Sequence, residues 1–258
     1  MDTTPRRALL VITLVAIAHA ALFAIYQYPD WATTWEDQVG YQRLGHVLAT
    51  TGMFTRTPDA QPFVPETIRT PGYPLFVAGV YRLAGESHAA VAAAQAVLFA
   101  LLTLVVFALT ARLATGRVAV AAAAFTAVFP PIPYYGALVL TEVLCTVIVT
   151  LGIWTALRAV QNDRLGDYIL TGVLIGLATL TRPTFVLFPI ALVGCLALAA
   201  LWRQQWRTLM RWAWMLAAFA ITLGPWLAYN ATYVHRLTIS PAGGPSVERA
   251  EMVVGEDR

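Results

Sequence analysis

Long uncharged runs alternate with short polar breaks along this chain. A helix that crosses the hydrocarbon of a bilayer needs about 20 mostly apolar residues. Seven runs meet or approach that length, at residues 8–26, 89–111, 118–130, 137–157, 168–181, 184–202 and 212–229. The pattern predicts an all-α polytopic membrane helix bundle of about seven transmembrane helices. The third and fifth runs are short, and the fourth reaches spanning length only if drawn across Glu142. Pro130, Pro131 and Pro133 close the third. Arg182-Pro183 divides a long apolar stretch into the fifth and sixth, so a tight hairpin or broken helix is expected there. Arg6 and Arg7 precede the first run, and Ala18-His19-Ala20 has the look of a cleavage site. The run continues to Tyr26, which favours an uncleaved anchor.

Charge sets the expected orientation. With the N-terminus in the cytoplasm, Arg6, Arg7, Arg112, Arg117, Arg158, Arg164, Arg203, Arg207 and Arg211 all lie on the cytoplasmic side. Eleven of the fourteen acidic residues then fall outside. The positive-inside rule favours this arrangement. It places a loop with juxtamembrane helices, residues 28–86, and a tail, residues 230–258, on the outer face of one transmembrane domain covering 1–258. Composition agrees with a multi-pass protein of the cytoplasmic membrane, at 59% hydrophobic and 12% charged with mean hydropathy +0.66. The net charge of +3 comes from arginines in loops and implies no nucleic-acid partner. Every basic residue is Arg, which with abundant Ala suggests GC-rich bacterial coding. Cys145 and Cys195 lie in apolar runs and read as reduced packing residues. The four histidines are dispersed without ligand spacing, so no metal site is assigned, and a divalent metal has no support in the pattern. Gly172 and Gly176 form a GxxxG that predicts close helix packing. Asn230-Ala231-Thr232 is a formal sequon of the kind common by chance.

Three polar stretches stand out against this background. In "WEDQVGYQRLG", residues 35–45, a helix over 35–50 puts Asp37, Tyr41, Leu44 and Leu48 on one apolar stripe. Glu36 points about 100° away and can be solvated. A carboxylate on the apolar side costs free energy unless it is used, and desolvation would suit a general base. The alternative for Asp37 is a helix-cap acid in the first turn. In "TIRTPGYPLF", residues 67–76, a rigid turn feeds a short helix expected over 75–83 and holds Arg69 near the headgroups. Arg69 there binds a phosphate or is an ordinary interfacial arginine. In "ALVLTEVL", residues 137–144, the span is expected to begin before Glu142, which puts this acid a turn or more inside. An acid at that depth is either functional or paired with a buried arginine such as Arg182, and the two are compatible.

Together these stretches resemble GT-C fold membrane glycosyltransferases, in the group similar to bacterial protein mannosyltransferases and aminoarabinose transferases (family 39-like). Asp37 four residues before Tyr41 matches the loop Asp and Tyr of that family. Arg69-Thr70-Pro71-Gly72-Tyr73-Pro74 matches its basic residue before a proline-and-aromatic motif. "LTE" opens a later span, "LATLTRPT" follows at 177–184, and "GPWLAYN" at 224–230 resembles its "PW..RN" ending, with Tyr229 in place of Arg. The resemblance implies an inverting transfer of sugar from a polyprenyl-phosphate carrier to an acceptor hydroxyl of a protein, lipid or glycan. The site would lie at the outer membrane face, against membrane lipid and with no cofactor. It implies Asp37 as catalytic base, with Glu142 as the second catalytic carboxylate, and Arg69, Tyr41, Tyr73 and Arg182 as substrate-binding residues. Lipid phosphate is a good leaving group, so the chemistry needs a base and a cation rather than a general acid. Family members usually carry several more spans, so the chain is expected to be a truncated member. A non-catalytic membrane subunit and a transporter are the competing readings, since intramembrane acids and broken helices also mark transport paths.

Overall fold

The computed structural model describes residues 3–27, 36–189, 191, 194 and 206–239. These residues are mostly helical, with one long non-helical connection over 52–71, and no strand occurs among them. We number the helices α1 (Thr3–Gln27), α2 (Glu36–Thr51), α3 (Gly72–Ala84), α4 (His88–Thr110), α5 (Gly116–Val128), α6 (Pro131–Gly136), α7 (Glu142–Asn162), α8 (Leu165–Thr181) and α9 (Trp206–Tyr233). Four are long and apolar enough to cross a membrane, over Arg6–Tyr26, His88–Thr110, Glu142–Asn162 and Leu209–Tyr233. α5 and α8 are shorter apolar helices, as the sequence pattern anticipates. Most of the expected sixth span, 184–202, lies outside the described residues.

Local chemistry ends the helices where the breaks fall. Ser87 caps α4 by accepting a hydrogen bond from the Ala90 amide at 3.0 Å. Pro130 disfavours a helical residue before it, and Phe129 is extended. Asp163 takes the left-handed conformation that closes α7. Pro183 acts on Arg182 in the same way: α8 stops at Thr181, Arg182 is extended, and a short 3-10 turn runs over Pro183–Leu187.

Packing relies on small residues, because lipid gives helices little hydrophobic reason to associate and close approach must supply the attraction. Ala119, Ala123 and Ala127 make a buried stripe at i, i+4 and i+8 on α5. Ala123 and Ala127 pack in one cluster with Phe99 and Leu102 of α4 and Ile12, Ala16 and Ala20 of α1. On the far side, α8 lies flat on α9. A side chain at Gly172 would run into the Met215 backbone, and one at Gly176 would come within 2.7 Å of Thr222. The sequon has a structural role instead, since Asn230 is fully buried and its amide donates to the Thr238 carbonyl at 2.6 Å.

The fourth span is displaced from its expected bounds. α7 starts at Glu142 and extends past Arg158 to Asn162. Glu142 is therefore the first helical residue rather than one held a turn inside. There it complements the positive end of the helix dipole. The stretch 137–141 before it is not helical, and its backbone polar groups are claimed by side chains from two other helices. Gln95 of α4 donates to the Gly136 carbonyl at 3.0 Å and the Leu138 carbonyl at 2.6 Å. His88 lies 2.8 Å from the Ala137 carbonyl, and Gln38 of α2 accepts from the Val139 amide at 2.8 Å. Irregular backbone in an apolar bundle persists only when it is satisfied in this way.

Candidate active site

α2 and α3 pack on each other and sit against one end of the bundle. α2 begins one residue later than expected, and Leu44 and Leu48 face inward as the stripe requires. Asp37 does not: its side chain is 69% exposed. The stripe fails at its first turn because the buried position there is taken by Gln38, turned toward residue 139. Asp37 is held by an ion pair instead, accepting from Arg69 at 2.8 Å. The Glu36 side chain lies outside the described residues.

α3 begins at Gly72, three residues before its expected start, which puts Pro74 in the first turn where proline is tolerated. A side chain at Gly72 would come within 2.7 Å of the Leu180 carbonyl, so the start of α3 presses on the end of α8. Residues 66–69 form a tight turn around Glu66. Its carboxylate accepts from the amides of Ile68 at 2.7 Å and Arg69 at 3.2 Å and pairs with Arg56 at 2.8 Å. The Arg69 side chain is only 10% exposed and lies 5.1 Å over the Tyr41 ring. Tyr41 meets Tyr73 edge to face at 5.0 Å, and the Tyr73 hydroxyl donates to Gln95 at 3.3 Å.

The second acid–arginine pair lies at the same end. Arg182, left extended by Pro183, donates to Glu142 at 3.0 Å. Both line a cavity of about 350 Å³ that runs down α7 past Cys145, Thr146, Val149 and Thr150 and is closed on one side by Thr184 and Phe185. From Glu142 to Thr150 the helix rises by roughly 12 Å.

Tyr41 links the two pairs. Burial raises its phenol above the ordinary value, Arg69 pulls it back, Asp37 and Glu142 push it up again, and Arg182 opposes them. All four charges thus act on one ring. The Tyr73 phenol is raised further, first by complete burial and then by Tyr41 and Glu142. Asp37, Arg69, Tyr41, Tyr73, Glu142 and Arg182 are brought to one end of the bundle. Sequence reasoning missed Gln38, Gln95, Glu66 and His88, which hold the site's backbone. Only Glu66 carried a signal, as an acid two and three residues before amides in a proline-bounded turn. Among the described residues, no three His, Cys, Asp or Glu side chains gather into a metal-binding group.

Residues 68–229 match the family model described as dolichyl-phosphate-mannose-protein mannosyltransferase. The match takes in Arg69, Tyr73, Glu142 and Arg182 and begins after Asp37 and Tyr41. No curated protein and no solved structure matches the chain. More than half of the chain lies within the family match, and its apolar helices and paired polar end suit a membrane glycosyltransferase. The chain belongs to the dolichyl-phosphate-mannose-protein mannosyltransferase family.

Proposed function

We propose that this protein transfers a sugar from a polyprenyl-phosphate carrier to an acceptor hydroxyl at the outer face of the cytoplasmic membrane, with inversion at the anomeric carbon. The observation that carries the reading is two acid–arginine pairs at one end of the bundle, one with an exposed carboxylate and one at the mouth of a cavity that descends along α7. The cavity suits the carrier: its charged mouth takes the phosphate, and its threonine and apolar walls take the first part of the prenyl chain. Arg182 is the phosphate cation by position. Among the described residues its guanidinium hydrogen-bonds Glu142 through Nη1, which leaves other N–H groups for phosphate oxygens. Glu142 orients Arg182.

Asp37 is the base. Exposure makes its carboxylate reachable by an acceptor, and Arg69 fixes its direction. In the transfer step Asp37 takes the acceptor's hydroxyl proton, and the oxygen attacks the anomeric carbon. The bond from that carbon to phosphate oxygen breaks, and its electron pair leaves with the polyprenyl phosphate, where Arg182 stabilises the charge. Attack opposite the leaving group inverts the centre.

Labelled sugar transfer from polyprenyl phosphate in proteoliposomes tests the reading. Asp37→Asn keeps the shape and removes the base, so transfer falls by about 10²–10⁴-fold while carrier binding is retained. An active Asp37→Asn protein, or a wild-type protein that moves no sugar from any polyprenyl phosphate, overturns it.

A further inference from the structure

Gly40 sits one turn after Asp37 on α2, buried, with Arg69 lying across it. A Cβ at this position would stand 2.5 Å from Arg69 Cζ, 2.5 Å from Nη2 and 2.8 Å from Nη1. Carbon atoms in contact ordinarily keep about 3.5–4.0 Å. The guanidinium therefore occupies the space a side chain would fill, with the Tyr41 ring 5.1 Å away and the Asp37 carboxylate at 2.8 Å. This explains how Arg69 is only 10% exposed while its partner is 69% exposed.

Other glycines of the paired helices differ in what they meet. Gly45 faces Val77 of α3, and Gly72 faces the Leu180 backbone, so both serve packing. Gly79 faces open space. Gly40 alone of these four faces a charged group of the candidate site. We propose that Gly40 is a positioning residue for sugar transfer: lacking a side chain, it seats the Arg69 guanidinium against α2, where that group aims the Asp37 carboxylate. The role rests on the reading above, with Asp37 as base.

The obstruction falls on the far end of a flexible side chain and not on backbone, so Gly40→Ala moves Arg69 and leaves the helix in place. Alanine is also the better helix former. The shift needed is about 1 Å, and a misplacement of that size costs roughly 10–100-fold in transfer. Two measurements on the whole protein in detergent or proteoliposomes test this. One is transfer of labelled sugar from polyprenyl phosphate. The other is modification of Arg69 by phenylglyoxal, read by peptide mass mapping, which does not depend on activity.

Gly40→Ala should lower turnover in the stated range and raise Arg69 modification several-fold. Gly79→Ala should change neither. In an Arg69→Lys background, where the planar fork is gone, Gly40→Ala should add less than about a twofold effect, because the glycine acts only through that fork. Unchanged Arg69 modification in Gly40→Ala overturns the proposal whatever the activity. Unchanged transfer with Arg69 exposed overturns the functional half. If the wild type transfers no sugar yet Gly40→Ala exposes Arg69, the seat stands and the transferase reading falls.

Discussion

α7 and α8 are tied together by an acid–arginine pair at each end, and the two pairs do different work. At the arginine-rich end, Arg158 of α7 forms an ion pair with Asp167 of α8 at 3.0 Å, with side chains 26% and 6% exposed. The Arg158 guanidinium also covers the Trp154 ring at 4.7 Å. At the other end, Arg182 and Glu142 meet at the same distance with side chains 42% and 29% exposed, and they border the cavity. The charges and separation are alike. What differs is access. At the arginine-rich end the carboxylate is buried between α7 and α8, so that pair serves to hold the two helices together. An open pair at a helix N-terminus can exchange one partner for an incoming anion. The role of an ion pair in this fold is set by what lies beside it.

The comparison can be broken at either pair. The largest effect is expected at the arginine-rich end, where Asp167→Ala leaves Arg158 without its carboxylate partner. Removing one member of a fully buried pair costs about 3–5 kcal/mol, and solvent at the part-exposed Arg158 offsets some of that. The unfolding midpoint in detergent should drop sharply, while transfer per folded molecule stays as in the wild type. A loss of transfer without a loss of stability would erase the distinction between the two ends. Next is Arg182→Ala, which should reduce transfer by about 10²–10³-fold, as expected for a group that stabilises departing charge. It should also weaken carrier binding, because the phosphate is held in the ground state too. Stability should change little, since the pair is partly exposed and such pairs contribute about 0–1 kcal/mol. The smallest effect is expected from Glu36→Gln. Transfer should stay within about twofold of wild type, because Asp37 carries the ion pair with Arg69 and is the proposed base. A dead Glu36→Gln protein would move the base to the wrong acid.

Much of the bundle was readable from apolar run length, because a spanning helix has one dominant requirement. The short third and fifth runs became α5 and α8, and Pro183 broke the chain where the sequence said it would. Run length misleads where one charge bounds a run. A run of 137–157 stops before Arg158 and so has to start upstream of Glu142. Arg158 is instead absorbed into the helix by Asp167 and Trp154, so the helix gains length at that end and Glu142 moves to its first residue. Asp37 was misplaced for a related reason. A stripe extrapolated to the first turn of a helix assumes that the partner surface continues that far. Here Gln38 makes the contact with residue 139 and Asp37 is left outside it. Gln38 and Gln95 could not be found from sequence, because a lone glutamine gives no hint of the distant backbone it satisfies.

The stretch 137–141 has a consequence for how the protein is made. Its Val139 amide is bound by Gln38, 101 residues earlier in the chain. Gln95 and His88, which grip the same stretch, are also synthesised before it. Arg182 emerges last of the candidate site's groups. A nascent chain entering the membrane thus carries Asp37 and Arg69 through several insertion events before the seat of α2 exists. α2 and α3 must wait for a segment not yet translated. The second acid–arginine pair is complete only once α8 has been made and residue 182 has followed it.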